Sequence, residues 1–242
     1  MAVLSPVVAS GQTSFDGTWK IDVATLPYSK RPLVWLVQNG IYECKSCMPP
    51  IRVSADGHDE KVSGQSYDTI SITIVDSRTI RLVQKKHGQI DSDEKFTVSA
   101  DGRTATDEFG NWKFSMHRTA DAPPGSHLMS GTWQTFKIES TSDRELLMTF
   151  QLRGDVFSMS RPTGESYRAV LDGSEAPYVG APRFNGVAIK RIDANTIEES
   201  DKFNGTVLAV SRLTVAADGE SMNISVHDLE AGTTGLFTAT KQ

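Results

Sequence analysis

The tetrapeptide Asp16-Gly17-Thr18-Trp19 returns as Ser130-Gly131-Thr132-Trp133, at an offset of 114 residues. Three further landmarks recur in the same order at offsets of 116 or 117 residues. The three pairs are Ala55-Asp56-Gly57 with Leu171-Asp172-Gly173, Asp76–Ile80 with Asp193–Ile197, and Phe96–Gly102 with Leu213–Gly219. Four landmarks in order at nearly constant spacing indicate an internal duplication, and each copy of roughly 105–115 residues is too long to be a solenoid repeat.

The duplication predicts two domains, residues 14–118 and 129–242, joined by a linker at residues 119–128. The linker contains Pro123-Pro124-Gly125, which cannot continue a strand. Residues 1–13 are predicted to be the remnant of a signal peptide or a disordered start. They carry small residues typical of a signal-peptidase site, but the apolar stretch is short and no basic residue precedes it. We therefore expect a periplasmic or secreted protein, with the cytoplasm as the alternative.

The composition excludes several classes of protein. The 242 residues include 25 Lys and Arg against 30 Asp and Glu, which gives a formal net charge of −5 and no basic surface for nucleic acid. Hydrophobic residues make up 38% of the chain, as in ordinary globular proteins. Apolar runs stay well short of the roughly 18 residues that a membrane-spanning helix needs, so we expect no transmembrane segment.

The pattern within each copy is typical of β-strands. Apolar and polar residues alternate in Ile70–Ile74 and, with one slip, in Val207–Val215. Turn dipeptides such as Asn39-Gly40 and Asn204-Gly205 separate these runs, and such residues supply the positive φ angles of tight hairpins. A helical period is not evident in any ten-residue stretch. The sequence therefore predicts an all-β protein with about eight to ten short strands per copy, arranged as up-and-down barrels or sandwiches.

The Gly-x-Trp at the start of each copy, followed by a β-meander, resembles the calycin superfamily of lipocalins and fatty-acid-binding proteins. The resemblance implies two tandem lipocalin-like, up-and-down antiparallel β-barrels. In that family the tryptophan plugs the closed end of the barrel, and a basic residue from the last strand lies over the indole. Arg118 and Lys241 stand at matched positions at the ends of the two copies. The implied barrel-closing pairs are Trp19 with Arg118 and Trp133 with Lys241, each a cation–π contact.

The two cysteines, Cys44 and Cys47, form one Cys-x-x-Cys motif ahead of Pro49-Pro50, and this segment is similar to one in bacterial exported proteins. A single Cys-x-x-Cys cannot supply four zinc ligands. A thioredoxin-type motif belongs at a strand-to-helix junction, whereas these flanks indicate a strand end and a proline-fixed turn. We interpret the pair as a local disulfide, or a reduced pair, that fixes a turn. A redox dithiol and a metal site are the alternatives.

The hairpins around the matched turns at Asp76 and Asp193 suggest a binding site. Antiparallel pairing places opposite each other residues whose numbers sum to 154 in the first copy and to 388 in the second. One face of the first hairpin is mostly apolar and carries Ile70, Ile72, Ile74, Ile80, Leu82 and Gln84. The equivalent face of the second carries Val187, Ile189, Arg191, Ile197, Glu199 and Asp201.

If these faces line the barrel interior, Arg191, Glu199 and Asp201, with Tyr167 or Trp133 nearby, form a polar pocket for a small ligand. Burying an isolated charge costs free energy, so the charges of such a cluster have to be paired or hydrogen-bonded. The alternative is that the charges reach the barrel mouth or form a satisfied internal ion network.

The sequence lacks the Gly-rich phosphate loop, the His-Glu-x-x-His zinc motif and the Gly-x-Ser-x-Gly hydrolase elbow, so we name no catalytic residue, cofactor or metal ligand. The leading hypothesis is a non-enzymatic, lipocalin-like binding protein for a small apolar or amphipathic molecule. The alternative is a structural or interaction protein of the cell envelope with filled barrels and no small-molecule ligand. An enzyme that uses the Cys-x-x-Cys or the charged cluster is the third hypothesis.

Overall fold

A computed structural model describes residues 15–181, 183–230 and 232–242, and the start predicted at 1–13 lies outside this range. The described residues form twenty β-strands, one 3-10 turn at Val23–Thr25 and one α-helix, α1, at Asp143–Leu146, so the all-β prediction is confirmed. The first ten strands are β1 Gly17–Ile21, β2 Leu33–Gln38, β3 Ile41–Cys44, β4 Ile51–Ser54, β5 Glu60–Lys61, β6 Thr69–Ile74, β7 Thr79–Lys86, β8 Gln89–Val98, β9 Thr104–Phe109 and β10 Trp112–Ala120. The other ten are β11 Gly131–Ser140, β12 Leu147–Arg153, β13 Val156–Ser160, β14 Ser166–Val170, β15 Asp172–Val179, β16 Gly186–Arg191, β17 Thr196–Phe203, β18 Thr206–Val215, β19 Ser221–Asp228 and β20 Thr233–Lys241.

The strands form two antiparallel sheets of ten strands each. One is a closed barrel in which β1 is followed by β12 to β20 in chain order, and β20 pairs back onto β1. The other has the order β4-β3-β2-β11-β10-β9-β8-β7-β6-β5. Its two ends also meet, because Asp56 bridges to Thr73 and the Gly57 N–H donates to the Ile72 carbonyl at 2.8 Å. Both sheets are therefore barrel-like, as predicted.

The two Gly-x-Trp strands are exchanged between the copies. Strand β1 pairs with β12 and β20 of the second copy, and β11 pairs with β2 and β10 of the first. The chain accordingly divides into one compact unit formed by the segment up to Pro27 with Asp143–Gln242, and another formed by Tyr28–Ser142. We call them the Trp19 barrel and the Trp133 barrel. These units differ from the predicted domains 14–118 and 129–242, each of which was expected to keep its own tryptophan strand.

The connection after β1 explains why this strand does not fold back onto β2. Asp22 caps the 3-10 turn by accepting from the Ala24 N–H, and the Asp22 N–H donates to the Thr238 carbonyl at 2.9 Å, which holds the segment on β20. Pro27 and Pro32 bracket the rest of the connection and disfavour a tight hairpin. Beyond Pro27 the chain belongs to the other barrel, where Gln134 Nε2 donates to the Lys30 carbonyl of this segment at 2.6 Å.

The predicted hairpin registers are confirmed. Ile72 lies opposite Leu82 in the first copy, and Ile189 lies opposite Glu199 in the second, so the pairs sum to 154 and 388. The shared faces point inward, apart from the ends at Ile74 and Arg191, which are exposed. Each barrel therefore encloses its own hydrophobic core, built around a fully buried tryptophan.

Candidate functional site

One end of each barrel is closed by a tryptophan in the same way. The Nε1–H of Trp19 donates to the Phe15 carbonyl at 2.9 Å, and that of Trp133 donates to the Met129 carbonyl at 2.7 Å. Lys241 Nζ lies 5.2 Å from the centroid of the Trp19 ring, and Arg118 Cζ lies 4.3 Å from that of Trp133. The predicted pairs, Trp19 with Arg118 and Trp133 with Lys241, are therefore wrong. The same four residues form the closing contacts, but their partners are exchanged because β1 and β11 are exchanged.

The glycine of each Gly-x-Trp makes room for the basic side chain. Gly17 has a φ of 131° and Gly131 a φ of 127°, which non-glycine residues rarely adopt. A Cβ at Gly131 would lie 2.6 Å from Arg118 Nη1, and one at Gly17 would lie 2.9 Å from Lys241 Cε. The motif is therefore a local requirement of the closed end, and it identifies a structural position.

Cys44 and Cys47 form a disulfide with a Cα–Cα distance of 5.4 Å. Cys44 is buried in the core of the Trp133 barrel, at the end of β3. The following turn is held by Gln65 Nε2, which donates to the Pro49 carbonyl at 2.7 Å. The bond therefore fixes the turn between β3 and β4, as the first interpretation of the motif expected.

The predicted polar cluster exists in part. Glu199 and Asp201 lie on the inner face of β17 and are only 8% and 7% exposed. The Tyr167 hydroxyl, on β14, donates to Glu199 Oε2 at 2.6 Å. Arg191 does not join them, because it sits at the end of β16, opposite Ile197, with its side chain exposed. The cluster is therefore acidic and tyrosine-bonded, and Arg191 is not its counter-ion.

The environment holds a proton on this carboxyl pair. Burial raises the pKa of Glu199 well above its ordinary range, and the neighbouring charge of Asp201 raises it further. Burial also raises the pKa of Asp201, to about 6, although the hydrogen bond with Glu199 opposes this shift. Near neutral pH Glu199 therefore keeps its proton and donates it to the Asp201 carboxylate, so that the pair carries about one negative charge.

A row of aromatic rings runs from the core to the cluster and beyond it. The ring centroids of Phe157 and Tyr167 are 6.4 Å apart, those of Tyr167 and Tyr178 are 5.3 Å apart, and those of Tyr178 and Phe184 are 6.0 Å apart. Arg183 Cζ lies 5.4 Å from the Phe184 centroid. The row leads toward the end of the barrel opposite Trp19, near the Asn204-Gly205 turn. Sequence reasoning missed Tyr178, near the end of β15, and interpreted Phe184 as a core residue of a strand, whereas it lies in the loop before β16.

Two buried polar atoms at this end have no hydrogen-bond partner in the described part of the chain. One is Asp201 Oδ1, an acceptor, and the other is Arg161 Nε, a donor. Arg161 is held in place by its Nη2, which donates to the Glu145 carbonyl at 2.5 Å, and its charge acts on both Glu199 and Tyr178. Because buried polar groups are nearly always paired, this unpaired donor and this unpaired acceptor are candidate anchors for a bound polar group. No sequence pattern singles out Arg161, which directly follows β13 in a turn.

The Trp133 barrel contains a second carboxyl pair that the sequence analysis missed. Glu94 on β8 and Asp107 on β9 share a hydrogen bond, and Tyr42 and Tyr67 lie close enough to be affected by the charge of Glu94. Both acids stand within charged stretches of sequence, Asp91–Lys95 and Asp107–Glu108. The usable signal was the alternation of Ser92, Glu94, Phe96 and Val98 along one face.

Comparisons with known proteins do not assign a family. No protein-family model matches the chain, and a search of curated proteins found no match. The described residues contain no group of three or more His, Cys, Asp or Glu side chains placed to hold a metal ion. Across the same residues, helices long and apolar enough to cross a membrane are absent.

Proposed function

We propose that the protein is a non-enzymatic, calycin-like binding protein that takes up a small amphipathic molecule at the end of the Trp19 barrel opposite Trp19. The observation that carries this proposal is the pair of unsatisfied buried atoms, Asp201 Oδ1 and Arg161 Nε, beside the aromatic row. Mouths of β-barrels are favoured sites for small molecules, and apolar walls with a few polar anchors are typical of such sites.

The two atoms define the head group of the ligand. Asp201 Oδ1 requires a hydrogen-bond donor, whereas Arg161 Nε–H requires an acceptor. The rings of Tyr178 and Phe184, which stack at 6.0 Å, provide the apolar surface for the rest of the molecule. A neutral head group that both donates and accepts, such as an amide, attached to a short alkyl chain, meets both conditions.

Export is part of the same proposal. The Cys44–Cys47 disulfide is typical of proteins in oxidising compartments, which supports a periplasmic or secreted location. The calycin-like assignment is supported by the barrels and by the matching cation–π contacts at Trp19 and Trp133.

The proposal is tested by titrating hexanamide, with methyl pentanoate as a probe of similar length that accepts hydrogen bonds but cannot donate them. We expect hexanamide to shift the NMR resonances of Tyr167, Tyr178 and Phe184. Asp201→Asn presents a donor where the wild type has an acceptor, so it should weaken hexanamide binding about tenfold. The control Asp155→Asn changes an exposed acid in a turn of the same barrel and should leave binding unchanged. Absence of any shift, or equal binding of the two probes, would contradict the proposal.

A structural or interaction protein of the envelope remains the second candidate, and two observations favour it. Stacked and tilted rings, among them Phe150, Phe157 and Tyr167, fill much of the Trp19 barrel. In addition, Leu236 is 71% exposed beside an open groove of about 520 Å³ on the outer face of β18 to β20. If the protein is structural, neither probe binds, so the same titration distinguishes the two candidate functions.

A further inference from the structure

The segment at residues 183–185, just before β16, makes a long-range contact at the end of the Trp19 barrel opposite Trp19. Arg183 Nη1 donates to Asp228 Oδ2 at 3.0 Å, and its Nη2 donates to Glu230 Oε2 at 2.6 Å. Asp228 ends β19, which lies three strands away from β16 in the barrel. Because neighbouring strands are about 4.8 Å apart, the contact joins parts of the rim that are roughly 14 Å apart along the sheet.

The contact crosses the opening of the barrel, because Asp228 faces the interior. Asp201 pairs with Ala209, and Ala209 pairs with Asp228. Asp201 and Ala209 are both buried on the inner face, and residues directly opposite each other share a face. The Asp228 side chain, 23% exposed, therefore points inward at the level of Asp201. The charge of Arg183 also reaches Asp201, where it opposes the increase in pKa that burial causes.

One end of the segment is fixed to the sheet by Asn185. Its N–H donates to the Lys202 carbonyl at 3.0 Å, and its Nδ2 donates to Asn204 Oδ1 at 2.8 Å. The Asn204 N–H donates back to Asn185 Oδ1 at 2.9 Å. Asn185 is therefore an anchored end, about which the preceding two residues can swing.

The other end is held by exposed ion pairs and by ring contacts. The side chains of Arg183 and Glu230 are 51% and 58% exposed, and exposed ion pairs stabilise a conformation only weakly. Phe184 stacks on Tyr178 at 6.0 Å, and Arg183 Cζ lies 5.4 Å from the Phe184 centroid. Arg183 and Phe184 can therefore leave their places without breaking the hydrogen bonds of the sheet.

We propose that Arg183 and Phe184 form a lid over the small-molecule site of the Trp19 barrel, latched by Asp228 and Glu230. In the closed position the lid covers the route to Asp201. The ligand enters and leaves when Arg183 separates from its two carboxylates. This inference rests on the proposed function, because it describes access to the same site.

The test labels a cysteine placed beneath the lid and needs no ligand. Ser211 faces the interior opposite Glu199 and is only 7% exposed, so Ser211→Cys should react with iodoacetamide only when the barrel opens. The two native cysteines are joined in the disulfide and do not react. Mass spectrometry follows the alkylation. We expect Arg183→Gln to accelerate it about tenfold, and Glu230→Gln, which removes one of the two partners, about threefold.

Two controls separate opening of the lid from loss of structure. Arg212→Gln breaks an exposed pair with Glu198 on the outer face of the same barrel and should leave the rate unchanged. Ala169 is 3% exposed and lies opposite Phe157, nearer the closed end. Ala169→Cys therefore reports on opening of the whole barrel, and Arg183→Gln should not accelerate its labelling. An unchanged rate for Ser211→Cys, or equal acceleration of both cysteines, overturns the lid. Glu230→Gln provides the test if Arg183→Gln does not fold.

The lid and the proposed function can fail separately. Saturating hexanamide should slow the labelling of Ser211→Cys, because ligand and reagent pass beneath the same lid. Hexanamide that binds without slowing the labelling overturns the lid, as does hexanamide binding in a protein whose labelling rate is unaffected by Arg183→Gln. Both results leave the proposed function in place. Absence of hexanamide binding overturns the proposed function, whereas faster labelling of Ser211→Cys in Arg183→Gln would still support the lid.

Discussion

Asp201 is a buried acid whose position costs stability at neutral pH. In the unfolded chain its carboxyl titrates near 3.8, whereas burial raises its pKa to about 6 in the folded protein, despite the hydrogen bond from Glu199 and the charge of Arg183. The folded state therefore binds the proton more tightly. This group favours folding most below pH 4, and its contribution falls as the pH rises to about 6 and stays low above that.

Asp201→Asn removes this cost. At pH 8 we expect the variant to be more stable than the wild type by about 2–3 kcal/mol, since each pKa unit corresponds to about 1.4 kcal/mol. The gain should shrink as the pH falls from 6 to 4. Urea unfolding at pH 4 and pH 8 measures both values, with Asp155→Asn as the exposed control. An equal gain in the free energy of unfolding at pH 4 and pH 8, or a loss at pH 8, would contradict this account. Either result would show that Asp201 is not a buried carboxylate in the folded protein.

Gly131 is required by the backbone conformation and the close packing at the closed end of the Trp133 barrel. Its φ of 127° and the contacts of a Cβ with Arg118 Nη1 at 2.6 Å and the Ala120 carbonyl at 2.7 Å leave no room for a side chain. We expect Gly131→Ala to lower the free energy of unfolding by about 3 kcal/mol. Gly154→Ala is the control: Gly154 has a φ of 61° and open space around it, so it should cost about 1 kcal/mol. Similar losses in thermal unfolding of the two variants would contradict this account of the motif.

Among the elements, the exchanged strands β1 and β11 determine which basic residue serves which tryptophan. Arg118 donates from Nε to the Gly102 carbonyl at 2.7 Å and from Nη2 to the Leu128 carbonyl at 2.5 Å, and its Nη1 donates to the Ser130 carbonyl. Its guanidinium thus links the end of the linker to β11 and covers the Trp133 ring.

Arg118→Met should therefore affect only the Trp133 barrel. We expect the Hε1 resonance of Trp133 to move and its hydrogen exchange to accelerate, while that of Trp19 stays in place, with a loss of about 3 kcal/mol in the stability of that barrel. Lys241→Met is the reciprocal variant and should affect Trp19 alone. A shift of the Trp19 Hε1 resonance in Arg118→Met would contradict the exchange. It would support the arrangement expected from the sequence, in which each copy keeps its own tryptophan strand.

The strand pattern could be predicted from the sequence, but the exchange could not. Alternation and turn dipeptides fix the hairpins locally, so the register that places Ile189 opposite Glu199 followed from the Asp193 turn. The sequences Gly17-Thr18-Trp19 and Gly131-Thr132-Trp133 are identical, so either strand suits either barrel. Which barrel each of these strands joins depends on the long connections and on contacts such as that of Gln134 with Lys30. Local sequence patterns do not reveal such contacts.

The candidate site was predictable to the extent that it interrupts an apolar face. Glu199 and Asp201 stood out because their counterparts in the first copy are Leu82 and Gln84. Arg191 was included wrongly, since its place at the strand end lets the side chain reach solvent. Glu94 was missed because charged neighbours on both faces of β8 conceal which of them points inward.

The chain passes twice between two barrels that each hold ten strands. The first passage follows Pro27 and the second follows Ser142. Each barrel is consequently built from both copies of the duplication, and neither copy alone contains a complete set of its own strands.

An engineered disulfide tests this exchange most directly. The hydroxyls of Thr18 on β1 and Thr149 on β12 lie 2.9 Å apart, so the two side chains face each other across the strand pair. The matched control is Thr18→Cys with Ala120→Cys, because Ala120 pairs with Thr132, the counterpart of Thr18, and would face Thr18 if each copy kept its own strand. Peptide mapping by mass spectrometry after mild oxidation locates the bond beside the native Cys44–Cys47 link. We expect the Thr18→Cys/Thr149→Cys variant to cross-link nearly completely and the control to stay reduced, whereas a cross-link in the control alone would contradict the exchange.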